Sequence, residues 1–247
     1  MIAGDGHGGV ADTGFGPTVE VTDVVGGAVG TALVGGHGTL TLNADGSYTY
    51  VADHAEPLAV GAVVEDVFTY TASDGTDSDT ATLTVSVTGV GTGTLAANHL
   101  LGNSDANTLE GLGGDDTLDG AAGSDTLIGG IGKDLLIGGA DNDRFQYDSV
   151  KDSLKGATKR DIITDFVQGD DIIDLSGIDA KKGKSGNQSF KFIGTHKFHD
   201  KKGELHYKYN AADNVTVISG DITGNGKANF EIELTGHHNL IKGDFVL

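Results

Sequence analysis

The sequence predicts an all-β chain in three parts: a β-sandwich over residues 1–92, a stacked solenoid over 93–164 and a β-rich cap over 165–247. Three observations carry this. Before residue 92, apolar and polar side chains alternate with a period of two, the mark of half-buried strands. From Gly102 to Gln146 the chain repeats every nine residues, and glycine opens every copy. Beyond that, charge rises, glycine loses its period and two-residue alternation returns.

Composition narrows the function. The 247 residues hold 36 acids against 16 Lys and Arg, a formal charge of −20. That excludes nucleic acid as a partner, since its binders present basic patches, and fits divalent cations. With no cysteine, no disulfide can staple the fold; an extracellular protein then needs another staple, and bound metal can supply it. No run approaches the roughly 18 apolar residues of a membrane span. Residues 1–10 lack the basic start and apolar stretch of a cleavable signal peptide, and the chain reads as if cut from something longer.

In the first part, TVEVTDV (18–24), GTLTLN (38–43), SYTYVA (47–52), DVFTYTA (66–72) and TATLTVSVTG (80–89) each read as a strand. Asn43 to Gly46 and Ser73 to Asp77 read as hairpin turns, because Gly, Asn and Asp tolerate positive φ. Short antiparallel strands joined this way predict an immunoglobulin-like sandwich. GTLTLNADGSYTY (38–50) and VFTYTASDGTDSDTATLTVSVTG (67–89) resemble the VCBS repeats of bacterial surface proteins. That resemblance implies a spacer module of a large secreted adhesin. GDGHGGVAD (4–12) reads as the remnant of a preceding hairpin. Asp74, Asp77 and Asp79 read as solvated turn acids, with an edge calcium site as the alternative, and His7, His37 and His54 as isolated surface residues.

The central part in nines reads GNSDANTLE, GLGGDDTLD, GAAGSDTLI, GGIGKDLLI and GGADNDRFQ. The sixth place holds Asn107, Asp116, Asp125, Asp134 and Asp143; the eighth holds Leu109, Leu118, Leu127, Leu136 and Phe145. Small residues in the first four places permit tight, left-handed turns that bring carbonyls together. A carboxylate at the sixth place adds the hard oxygen that calcium prefers. The apolar eighth place points inward from a short strand, so stacked copies share a narrow core. The frame runs back to Asn98 and Leu100, and forward to Asp152 with Leu154 and Asp161 with Ile163.

This pattern is similar to the G-G-x-G-x-D-x-U-x nonapeptide of RTX (repeats-in-toxin) proteins. The resemblance implies a parallel β-roll with two nonapeptides per turn and several calcium ions between stacked loops. Loops two copies apart are then partners, pairing Asp116 with Asp134 and Asp125 with Asp143. Backbone carbonyls from Gly111, Gly113, Gly120, Ala122, Gly130, Gly132, Gly139 and Asp141 would complete the sites, with Asn107 at the first. Serralysin-type proteases carry aspartates matching Asp152 and Asp161 as ligands closing the last turn. Asn98 and Asn107 offer only a neutral oxygen, and Asp105 and Asp141 replace the fourth-place glycine. The alternative is a glycine-rich solenoid or linker without metal.

In the last part, RDIITDFVQGDDIIDLSGIDA (160–180) places apolar pairs between acidic turns, and NQSFKFIG, GELHYKYN, NVTVISGDI and NFEIELTG follow as alternating strands. A solenoid end needs such a cover. With DRFQYDS, ISGDITGNGKANFEIELTG and the terminal DFVL, this half resembles the C-terminal domain of serralysin-type metalloproteases. That implies that Asp244, Phe245, Val246 and Leu247 form part of an uncleaved type I secretion signal; the alternative is a last edge strand. Asp221 to Gly226 departs from an EF-hand at Thr223 and reads as a tight turn. Lys181, Lys182, Lys184, Lys201 and Lys202 read as a solvated face.

No H-E-x-x-H, G-x-S-x-G or phosphate-binding glycine loop occurs, and thiol catalysis lacks a thiol. The chain is therefore expected not to be an enzyme. The expected function is the calcium-binding C-terminal region of a secreted or cell-surface adhesin. Its partners are calcium, type I secretion machinery and cell-surface or matrix polysaccharide, with no membrane span. The rivals are a carbohydrate-binding module, which a glycan array would reveal, and the non-catalytic end of a secreted RTX hydrolase.

Overall fold

The computed structural model describes residues 19–52 and 58–247. The predicted hairpin remnant at 4–12, His7 and His54 lie outside these residues. The chain divides into two compact units, residues 1–89 and 90–247.

The first unit contains β1 (Glu20–Val24), β2 (Ala32–Val34), β3 (Thr39–Leu42), β4 (Tyr48–Val51), β5 (Val63–Ser73) and β6 (Ser78–Thr88). One antiparallel sheet has the order β1-β5-β6 and the other β2-β3-β4. Val21 and Phe68 from the first sheet pack with Leu40 and Leu42 from the second, making the sandwich core. Buried Asp66 ties the sheets together, accepting hydrogen bonds from the Gly36 amide (2.9 Å), the His37 amide (3.0 Å) and the Tyr50 hydroxyl (2.7 Å). Burial alone would raise its pKa, but these donors outweigh burial and hold the carboxyl below its ordinary value. Asp74 closes the second hairpin, accepting from the amides of Thr76 and Asp77, both at 2.9 Å. Sequence alternation missed β2, whose three residues are too few to display a period.

The second unit opens with β7 (His99–Leu101), β8 (Thr108–Glu110), β9 (Thr117–Asp119), β10 (Thr126–Ile128), β11 (Leu135–Ile137), β12 (Arg144–Gln146), β13 (Asp161–Ile163) and β14 (Ile172–Asp174). Successive strands join opposite sheets. Odd-numbered ones stack in parallel on one side and even-numbered ones on the other. Thr117 pairs with Leu135 and Thr108 with Thr126, a register of two nonapeptides per turn. Leu109, Leu118, Leu127, Leu136, Phe145, Ile163 and Ile173 fill the interior without solvent exposure. This is the parallel β-roll that the resemblance to RTX repeats implies. Each strand from β7 to β12 buries only its central side chain, so a turn has little stability without neighbours.

The cap adds β15 (Lys191–Phe192), β16 (Glu204–Asn210), β17 (Val215–Asp221), β18 (Phe230–Thr235) and β19 (Phe245–Val246). These strands continue the roll's own sheets. β18 pairs in parallel with β13, Asp161 opposite Ile232, and β19 pairs in parallel with β14, Ile173 opposite Phe245. Phe245 and Val246 of the terminal tetrapeptide thus form the last edge strand, with Phe245 and the preceding Asp244 buried. Arg160, just before β13, grips β18 through Glu231 (3.1 Å) and Glu233 (2.5 Å). Asp221 spends both carboxylate oxygens on the amides of Thr223, Gly224 and Gly226, at 2.7–2.9 Å. It forms the tight turn that its sequence predicts. Among the described residues no helix is long and apolar enough to cross a membrane.

Candidate metal centre

The sixth-place carboxylates form two columns, one on each edge of the roll. In each, one oxygen reaches to the preceding turn. Asp116 Oδ1 accepts from the Asn98 amide (2.7 Å), Asp134 Oδ1 from Asp116 (2.8 Å) and Asp161 Oδ1 from Asp134 (2.9 Å). On the other edge, Asp125 Oδ1 accepts from Asn107 (2.7 Å), Asp143 Oδ1 from Asp125 (2.9 Å) and Asp171 Oδ1 from Asp143 (2.9 Å). The structure therefore joins Asp116 to Asp134 and Asp125 to Asp143.

The second oxygen is the informative one. Oδ2 of Asp116, Asp125, Asp134, Asp143 and Asp161 is buried and accepts no hydrogen bond from the protein. Leaving one buried ionised acceptor unsatisfied costs about 1–3 kcal/mol or more, and here it recurs at every turn. Four of these oxygens, on Asp116, Asp125, Asp134 and Asp143, face backbone kept bare by glycine. A Cβ at Gly111 would stand 2.4 Å from Asp116 Oδ2 and 2.4 Å from the Gly129 carbonyl oxygen. At Gly120 it would stand 2.4 Å from Asp125 Oδ2 and 2.5 Å from the Gly138 carbonyl oxygen. The first-place glycine thus keeps side-chain atoms out of a space shared by a carboxylate and a carbonyl one turn on. Charged and carbonyl oxygens without competing donors are the donor set that calcium takes.

Electrostatics point the same way. Burial raises the carboxyls of Asp116, Asp125, Asp152 and Asp171. It lifts Asp143 to about 6 and Asp134 to about 7, in each case aided by neighbouring carboxylates and only partly opposed by a backbone amide. Asp161, fully buried, goes to about 9. The Tyr147 hydroxyl approaches Asp161 without meeting hydrogen-bond geometry.

The other predicted positions fall into groups. Gly113 bridges Ile131, Ala122 bridges Ala140, and Gly132 bridges Ser153, so the loop backbones two copies apart run alongside each other. Gly130 and Gly139 take left-handed φ of 91° and 98°, each with a carbonyl (Leu112 or Ala121) where a Cβ would stand. Asp141 is exposed and also left-handed, at φ 78°. Asn107 differs from the aspartates. Its Oδ1 accepts from the Asn103 amide of its own loop (2.7 Å), and Asn98 likewise accepts from Thr94 (2.6 Å). Asp152 sits beside Asp134 and Asp161 electrostatically, but its Oδ2 is taken by the amides of Asp148 (2.9 Å) and Ser149 (2.7 Å).

Sequence reasoning missed Asp171 and Asp165. Counting nines from Asp143 lands on Asp170, which is exposed; a one-residue offset puts Asp171 in the column instead. Asp165 accepts from the amides of Gly138 (3.0 Å) and Gly139 (2.8 Å). The doubled acid Asp170-Asp171 was the available signal. Among the described residues no three His, Cys, Asp or Glu side chains gather as a ready-made metal cluster.

A model of the peptidase M10 serralysin C-terminal domain matches residues 101–247, and one of a bacterial cadherin-like domain matches residues 3–89. Two solution structures of Azotobacter vinelandii mannuronan C5-epimerase subunits are similar to this chain. AlgE6R3 is 27% identical, covering 61% of this chain and 78% of its own, with a TM-score of 0.45. AlgE6R2 is 24% identical, covering 62% and 92%, with a TM-score of 0.43. A comparison with curated protein sequences found no match.

Proposed function

Because the chain belongs to the serralysin C-terminal family, whose RTX-type repeats bind calcium, we propose that it is the non-catalytic C-terminal region of a secreted bacterial surface adhesin, folded by calcium outside the cell. The observation that carries the reading is the repeated buried Oδ2 without a donor. Asp116, Asp125, Asp134, Asp143 and Asp161 are the carboxylates that would hold the ions, with loop carbonyls beside them. Bound calcium supplies the positive charge that these carboxylates lack. Without it, acids stacked turn upon turn repel, and the glycine-rich loops lose much conformational entropy on ordering.

Extracellular calcium modules have Kd values of about 10⁻⁴–10⁻³ M. At roughly tenfold excess each site adds about 1.4 kcal/mol, so four sites add about 6 kcal/mol, comparable to a domain's whole stability. Inside the cell such sites stay empty, the chain stays open and Asp244 to Leu247 is accessible to a type I exporter. Outside, the same residues close the second sheet. The sandwich would act as a spacer ahead of the roll.

Calorimetry with calcium and with chelator tests this. The transition of residues 90–247 is expected to move by well over 10 °C, while that of the sandwich stays in place. An unchanged second transition would sink the proposal.

A further inference from the structure

All 16 Lys and Arg residues lie at or beyond Lys133; the first 132 residues contain none. The cations gather on the cap, and there the β16–β18 sheet turns a polar face outward. Its register sets His206, Ser219 and Glu231 in one row and Lys208, Val217 and Glu233 in the next. The opposite face carries Leu205, Ile218 and Ile232 into the core.

The outward face floors a groove of about 840 Å³, in the size range of small-ligand sites. Phe198 lines it. Its ring meets the His206 ring edge-on at 4.4 Å and is held there. The acids of the floor are already engaged: Glu231 and Glu233 both pair with Arg160. Lys197 and Lys208 line the groove and make no ion pair among the described residues, against one further acid, Asp200. Lys201, Lys202 and Lys227 flank the lining segments in sequence. Burial keeps the His206 imidazole neutral at physiological pH, and its Nδ1 has no partner.

We propose that this groove binds an acidic saccharide, one with a sugar ring against Phe198 and with carboxylates that meet Lys197 and Lys208. An aromatic wall suits the apolar face of a pyranose. The hydroxyl of Ser219 offers a donor and an acceptor for its hydroxyls. Free ammonium groups select carboxylated over neutral chains, with a strength that salt reduces. The site does not depend on the proposed role of the roll, except that the cap must be folded.

The test is titration calorimetry of the full chain in calcium with trigalacturonate and with maltotriose, followed by the K197Q/K208Q variant. The calcium-induced rise in melting temperature is measured in parallel on both proteins. Trigalacturonate is expected to bind, more weakly as salt rises, and at least tenfold more weakly to the variant, whose calcium response is unchanged. Absence of binding, equal binding of maltotriose, or binding undiminished in the variant (as when roll-bound calcium holds the carboxylates) would each overturn the proposal. Loss of the calcium response alone would count against the folding mechanism and not against the groove.

Discussion

A carboxylate is costly to bury and glycine-rich loops are costly to order, yet the roll combines both at Asp134, Asp143 and Asp161. Burial holds these groups near 7, 6 and 9, above the ordinary value of about 4 in an unfolded chain. The metal-free fold therefore carries protons that the unfolded chain has released. The contribution of these three groups to its stability is fully present below about pH 4 and is lost as pH rises through about 9. Calcium reverses the slope, because the ion competes with those protons. Thermal melts in chelator should thus give a higher melting temperature at pH 5 than at pH 8. Asp134→Asn should flatten that difference and shrink the rise on adding calcium. Equal melts at both pH values would mean that the column holds no buried charge. The sequence displayed Asp116, Asp125, Asp134 and Asp143 through their period. It hid Asp171, because one extra residue in the preceding loop shifts the count while the hydrogen bond to the Asp143 amide preserves the column.

Among the elements, the nine-residue loops assign different duties to positions that look alike in sequence. First-place glycines stand between an aspartate oxygen and a carbonyl of the next turn. The third place is open, and it holds Gly113, Ala122, Ile131 and Ala140 in successive copies. Adding a methyl group should therefore be harmful at one and mild at the other. Gly120→Ala, with contacts at 2.4 and 2.5 Å, is expected to cost about 2–4 kcal/mol by the overpacking route. Gly113→Ala meets nothing nearer than 3.5 Å and should stay within about 0.5 kcal/mol. Urea unfolding in saturating calcium measures both; similar losses would refute the distinction. The sandwich strands were legible because each spans several alternations. β2 was not, and neither was the manner in which β18 and β19 join the roll. Partner choice between strands depends on tertiary contacts such as the Arg160 clamp, which leave no local period.

For the whole molecule, the legible part was the stack and the illegible part was its ending. Repeats announce themselves, whereas the cap's strands read only as alternating segments with nothing to say that they prolong both walls. The stack also has a parity. Each nonapeptide hands the chain from one wall to the other, so β7 and β8 keep their walls only if repeats are lost in pairs. Excising Gly111 to Ile128 shortens the coil by a full turn and leaves every remaining strand on its own side. Excising Gly111 to Asp119 moves β7 and β8 to the opposite walls, while β10 through β14, Arg160 and its two glutamates, all after the cut, stay together. Both deletions should therefore retain a cooperative, calcium-dependent melt; loss of that melt in the shorter one alone would mean that the first strands dictate the walls of the later ones. A coil fastened at its far end can thus be trimmed one repeat at a time from its near end.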